Sequence, residues 1–169
     1  YRSWGDLRDS FHRVICQLAI KNPDFIFYIK CHPQQIVSKF PDSLSSLANV
    51  RIIKGAPKGI PSLLSQSVVV IGFQTTALLE ASLAGVPVVY GAWGDLFDVV
   101  KPYLLPWHES GFGFSWARSE YELEKSALNF INDDSENKED RDRLKEYFYK
   151  SNGNVTARFL KEIKAVVEE

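Results

Sequence analysis

The segment Val68–Val89 constrains the chain most. An apolar run, Val68-Val69-Val70-Ile71, leads into Gly72-Phe73-Gln74-Thr75-Thr76; an alanine- and leucine-rich stretch to Ala84 follows, then Gly85 and a second apolar run from Val86. Continuous β-branched runs suit strands buried on both faces. Ten residues at helical spacing between two such strands make a parallel crossover. That unit implies an α/β fold with its strand ends on one edge. Thr75 and Thr76 stand at the expected helix start, 75–84. Free N–H groups and the helix dipole point there, so paired hydroxyls suit a phosphate. The stretch reads as a site for an anionic ligand, a nucleotide first of all.

The rest of the pattern alternates in the same way. Leu7, Phe11, Val14, Ile15, Leu18 and Ala19 recur at helical spacing, predicting a helix over 6–21 stopped by Asn22-Pro23-Asp24. Phe25 to Cys31 reads as a buried strand ended by His32-Pro33, and Val50-Arg51-Ile52-Ile53 as a short one. Residues 34–48 suggest a short helix and loop, the glycines and prolines from Gly55 to Pro61 a loop, and Ser62-Leu63-Leu64 a short helix. A strand is expected at 86–90, a turn at 91–95, broken helix over 96–105, and an edge strand at Phe112–Ser115. Ser119 with Glu122 forms a capping box for a helix over 120–131. Further helices are expected over 139–150 and from Asn154 to about 167, separated by Ser151-Asn152-Gly153.

Strands alternating with helices predict a Rossmann-like, doubly wound parallel sheet with helices on both faces. One feature departs from that plan: the first element is a helix, whereas the first strand of such a sheet is central. The expectation is that this strand lies upstream of Tyr1, in a chain that reads as a fragment or excised domain. Otherwise strand 25–31 pairs directly with strand 68–71.

Composition narrows the function classes. With 169 residues the chain suffices for one domain with a core. A net charge of -1 gives no basic field for nucleic acid. No apolar stretch approaches the roughly 20 residues of a membrane helix, and no signal peptide is evident, so a cytoplasmic location is the default. Cys16 and Cys31 lack metal-site spacing, and Cys31 reads as a buried thiol outside any disulfide.

Three features fall at the carboxyl ends of successive strands, where open α/β sheets bind ligands. They are Lys30-Cys31-His32-Pro33, the 54–61 loop, and Gly72 to Thr76. Gly72 admits close backbone approach. Glu80, four residues after Thr76, shares its helix face and suits a ribose diol. Its apolar neighbours Leu78, Leu79, Ala81 and Leu83 suggest a charge that needs a partner. Pro33 holds His32 extended, so its imidazole can donate to a phosphate or protonate a departing one. Lys30 reaches the same cleft or snorkels at the sheet edge. Tyr90, Trp93 and Trp107 read as packing, and His12 and His108 as structural. Dinucleotide-binding and P-loop glycine signatures are lacking, as is any Ser-His-Asp or metal-ligand cluster.

Taken together, Lys30-Cys31-His32-Pro33, Gly72-Phe73-Gln74-Thr75-Thr76, Glu80-Ala81 and Gly85-Val86-Pro87 resemble the C-terminal nucleotide-sugar-binding domain of GT-B glycosyltransferases. The His-Pro motif with a hydroxyl pair is most similar to the bacterial capsule and surface-polysaccharide branch: sialyltransferases, capsular Kdo transferases and CDP-glycerol polymerases. The resemblance implies that His32, Thr75 and Thr76 engage the donor phosphate and that Glu80 contacts ribose. It implies a CMP- or CDP-linked donor rather than a UDP-linked one, with no separate cofactor. It also implies a saccharide acceptor held by an N-terminal domain outside this sequence, and allows peripheral membrane association. Thr-Thr here replaces the usual Ser-Ser or Ser-Thr. Two other readings stand beside it: a sugar-nucleotide 2-epimerase or hydrolase half, and a non-catalytic donor-like scaffold.

Overall fold

The computed structural model describes residues 4–31, 40–53, 60–108 and 114–132. His32-Pro33, most of the 54–61 loop and the helices expected beyond residue 138 lie outside the described residues.

The first helix, α1, spans Trp4–Lys21 and buries Leu7, Val14 and Leu18 as one stripe. It stops at Asn22, whose side chain donates to the Leu18 carbonyl at 2.8 Å, ahead of Pro23. Strand β1 (Phe27–Lys30) follows, and after the short helix α2 (Asp42–Ser45) comes β2 (Val50–Ile53). The two strands pair in parallel, Phe27 opposite Val50 and Lys30 opposite Ile53. Asn49 fixes their entry, its side-chain amide donating to the carbonyls of Ala19, Asn22 and Phe25.

Helix α3 (Ile60–Leu64) leads to β3 (Val70–Gly72), α4 (Ala77–Leu83) and β4 (Val88–Gly91). Gly85 ends α4 at φ 79°, a conformation glycine adopts without strain. Its N–H bonds the Ser82 carbonyl, and the Val86 N–H reaches back to Ala81, both at 2.9 Å. This is the Schellman stop that Gly85 suggests. Helix α5 (Asp95–Val100) runs into a 3-10 turn at Lys101–Tyr103, which admits Pro102 near its start. Strand β5 (Ser115–Ala117) precedes α6 (Glu120–Asn132). Ser119 Oγ accepts the Glu122 N–H at 3.1 Å, as the capping motif predicts. The Glu122 carboxylate reaches one residue further back than in a standard box, to the Arg118 N–H at 2.8 Å.

Strands β3, β4 and β5 pair in that order, all parallel. The fold is α/β and Rossmann-like, with its parallel strands in two small sheets rather than one continuous one. The direct pairing of the first and third strands does not form among the described residues. Helices cover both sides. Leu7, Val14 and Leu18 of α1 pack with Leu123 and Ala127 of α6 over Phe27, Ile71 and Val89. On the opposite side Leu64, Leu78, Ala81 and Phe97 pack with Val88, Tyr90 and Trp107. A third cluster joins Ala19 and Leu44 to Cys31 and Val50 at the β1–β2 end.

Boundaries moved where burial begins later than the apolar run. Val68 is 42% exposed, and the ladder of the third strand begins at Val70, opposite Val88. Thr75 and Thr76 precede the helix rather than opening it, and the expected edge strand at Phe112–Ser115 forms at Ser115–Ala117.

Candidate functional site

The turn from β3 to α4 carries most of the predicted site. Gly72 is the last residue of β3. A Cβ there would meet the Leu78 side chain at 2.9 Å and Thr75 at 3.4 Å. Leu78 is fully buried, so glycine at this position lets α4 sit tightly on its own strand. Thr75 Oγ1 lies 3.4 Å from the Ala77 N–H, a long cap-like contact. Thr76 is the residue before the helix, exposed, and its side chain makes no capping hydrogen bond. Its hydroxyl is thus available at the helix start.

Glu80 follows one turn along α4, and its N–H bonds the Thr76 carbonyl at 3.1 Å. The side chain is exposed, because Leu78 and Ala81 take the buried face. The need for a partner inferred from its apolar neighbours therefore does not arise: solvent satisfies this carboxylate. Beside it lies a shallow depression of about 370 Å³, lined by Pro61, Leu64, Ser65, Glu80, Leu83 and Ala84. Its walls are the facing sides of α3 and α4.

Lys30 ends β1 with its side chain exposed. Phe27 and Ile29 pack on the α1 side, so by strand alternation Lys30 points to the opposite face of β1. His32, two residues on, lies outside the described residues. The structure therefore places Gly72, Thr75, Thr76 and Glu80 on one continuous segment and Lys30 at the end of a strand in the other sheet.

Gln74 is the residue that sequence reasoning missed. It has φ 35°, the left-handed region that non-glycine residues rarely occupy. Its amide nitrogen donates to the Tyr90 hydroxyl at 2.8 Å and to the Leu105 carbonyl at 3.1 Å. Its amide oxygen accepts the Leu105 N–H at 3.2 Å. The side chain thus ties the β3–α4 turn to the segment after the 3-10 turn. A long polar residue in a turn otherwise made of glycine, an aromatic and two hydroxyls was the available signal, since its amide can reach across the turn and both donate and accept.

The aromatic residues behave as packing. Trp107, Tyr90 and Trp93 are buried, with Phe73 stacked on Tyr90 at 5.9 Å and Trp107 edge-on to Tyr90 at 6.3 Å. Burial pushes the Tyr90 hydroxyl above its usual value of 10.0, partly offset by the Gln74 bond. His12 is buried against Phe40 at 4.9 Å, and its Nδ1 makes no hydrogen bond among the described residues. Burial pulls it below its ordinary 6.5; the Arg8 charge acts the same way and Asp9 opposes both. His108 packs on Phe97 and Trp116. Trp116 also carries two cations, Arg118 at 4.3 Å and Lys101 at 5.2 Å, and donates to the Ala92 carbonyl.

Cys31 is buried and Cys16 half-buried, and no disulfide joins them. Among the described residues no group of side chains could hold a metal ion, and no helix is long and apolar enough to cross a membrane. No protein-family model matches the chain, and no curated protein matches it.

Proposed function

We propose that this chain is the nucleotide-sugar donor domain of a glycosyltransferase in bacterial capsule or surface-polysaccharide synthesis. One observation carries the reading. Lys30 stands at the carboxyl end of β1 and the Gly72–Thr76 turn at the carboxyl end of β3, each strand paired in parallel within its own sheet. In open α/β sheets ligands bind outside the strand ends where strand order reverses. The exposed Thr76 hydroxyl and Glu80 carboxylate lie one helical turn apart on the same side.

In this reading Thr75, Thr76 and Lys30 hold the donor phosphates. Glu80 accepts hydrogen bonds from the ribose diol, and the apolar depression beside it shelters the nucleoside. Charge builds on the departing phosphate during transfer, and donors already in place stabilise it without reorganising. His32 assists as a proton donor. The donor is CMP- or CDP-linked in preference to UDP-linked. A second domain presents the saccharide acceptor, so these 169 residues bind nucleotide weakly and turn nothing over. The location that goes with this chemistry is cytoplasmic, with peripheral membrane association.

Calorimetric titration with CDP tests the site. Thr76→Val and Glu80→Ala each remove an exposed polar group and should leave folding intact. Each is expected to weaken binding about tenfold, or roughly 1.4 kcal/mol. Equal affinity in wild type and both variants would remove the site from this segment. The alternative reading is a donor-like scaffold that binds no nucleotide. A well-folded chain with no heat of binding to CMP, CDP, UDP or GDP is the outcome that reading requires.

A further inference from the structure

The ring of Trp116 gathers two positive charges at the carboxyl edge of the sheet that holds β3, β4 and β5. These strands are parallel, so their carboxyl ends share one edge, where open α/β sheets take ligands. Gly91 and Ala117 pair as the last residues of β4 and β5, and the Ala92 N–H donates to the Ala117 carbonyl at 3.1 Å. Trp116 Nε1 donates to the Ala92 carbonyl at 3.0 Å, which holds the indole at that edge. Phe97 and His108 pack on the same side chain, with ring centres 6.0 and 5.4 Å away. The indole is thus a fixed platform. It stands two strands from Gly72, about 10 Å along the edge at ordinary strand spacing.

The two charges reach the ring from different elements. Arg118 follows β5 directly, and its guanidinium carbon lies 4.3 Å from the ring centre. Lys101 opens the 3-10 turn after α5, and its Nζ lies 5.2 Å from the same centre. One cation on an indole needs no other partner, because the ring face supplies the attraction. A second like charge on the same ring adds repulsion, which a neighbouring carboxylate can relieve. Among the described residues none does, since neither Lys101 nor Arg118 makes an ion pair. The Glu122 carboxylate accepts the Arg118 backbone N–H, and Glu120 pairs with Arg13. Arg118 is exposed and Lys101 half-exposed, so a solute reaches both.

We propose that Lys101 and Arg118 form an anion site across Trp116 that takes a diphosphate, free or as the end group of a larger molecule. Both charged heads lie within 5.2 Å of one ring centre, so a group with anionic oxygens at two ends meets both. A singly charged group balances only one of them. Arginine presents a fork of N–H donors that matches phosphate oxygens, and lysine adds a point charge. The inference rests on this cation pair and does not depend on Thr75, Thr76 or Glu80.

NMR titration of the protein with inorganic pyrophosphate at constant ionic strength tests it, read at the Trp116 Nε1–H resonance. The shift is expected to saturate. Lys101→Gln and Arg118→Gln should each weaken the affinity about tenfold, whereas Lys101→Arg keeps the charge and should hold it within about twofold. Methyl diphosphate, run in parallel, distinguishes the sources: affinity equal to that of pyrophosphate assigns an end group, and affinity about tenfold lower assigns the free ion. A shift that grows without saturating would overturn the proposal. So would unchanged affinity in both glutamine variants, or inorganic phosphate binding as tightly as pyrophosphate. Pyrophosphate carries no nucleoside, so this outcome and that of the CDP titration are read separately.

Discussion

Gln74 shows how much one side chain settles in this turn. Three hydrogen bonds to Tyr90 and Leu105 hold a backbone conformation that costs a non-glycine residue about 1 kcal/mol. Gln74→Ala loses the bonds and keeps the strain, and should lower stability by about 2 kcal/mol in urea unfolding. Gln74→Gly loses the same bonds but relieves the strain, so its loss should be about 1 kcal/mol smaller. Equal losses for the two variants would mean that the left-handed backbone is not strained. Two buried titratable groups give opposite pH signatures. His12 titrates below 6.5, so its contribution is present above that pH and is lost on acidification. Tyr90 titrates above 10.0, so its contribution is present below that pH and is lost in strong alkali. His12→Phe should flatten the stability profile on the acid side of pH 6.5 and leave the alkaline limb unchanged. Tyr90→Phe should do the reverse. Their structural place was legible in sequence, but not their titration, because His12 is buried against Phe40, far along the chain, and Tyr90 is buried in a core that several elements build.

At the scale of elements, much was legible. The stripe of Leu7, Val14 and Leu18 marks α1, and Ser119 marks the start of α6, because both signals are local. The strand ends were less legible: an apolar run such as Val68–Ile71 does not say which of its residues the sheet will bury, and packing against Pro87 and Val88 sets the register. The α1–α6 contact separates core from surface energetics. Leu18 is fully buried, and Leu18→Ala should cost about 3 kcal/mol. The pairs Arg13–Glu120 and Lys21–Glu124, exposed on the cation's side, join the same helices. Breaking either with alanine should cost under about 1 kcal/mol, less still in high salt. Chemical denaturation of the variants side by side checks this ordering.

Across the whole molecule, the α/β plan with parallel strands follows from alternating strands and helices. The site was legible as a segment, Gly72 to Glu80, because a glycine turn with hydroxyls at a helix start is a local signal. What each residue does was less so. Gly72 accommodates the buried Leu78, and Glu80 faces solvent, distinctions set by how α4 lies on its strand. The central claim is that this surface holds a cytidine nucleotide. Isothermal titration of the folded chain with CMP, CDP, UDP and GDP tests it most directly. The account predicts saturable binding of CMP and CDP, with UDP and GDP weaker by about tenfold or more. Binding of none of the four, or preference for a purine nucleotide, would contradict it.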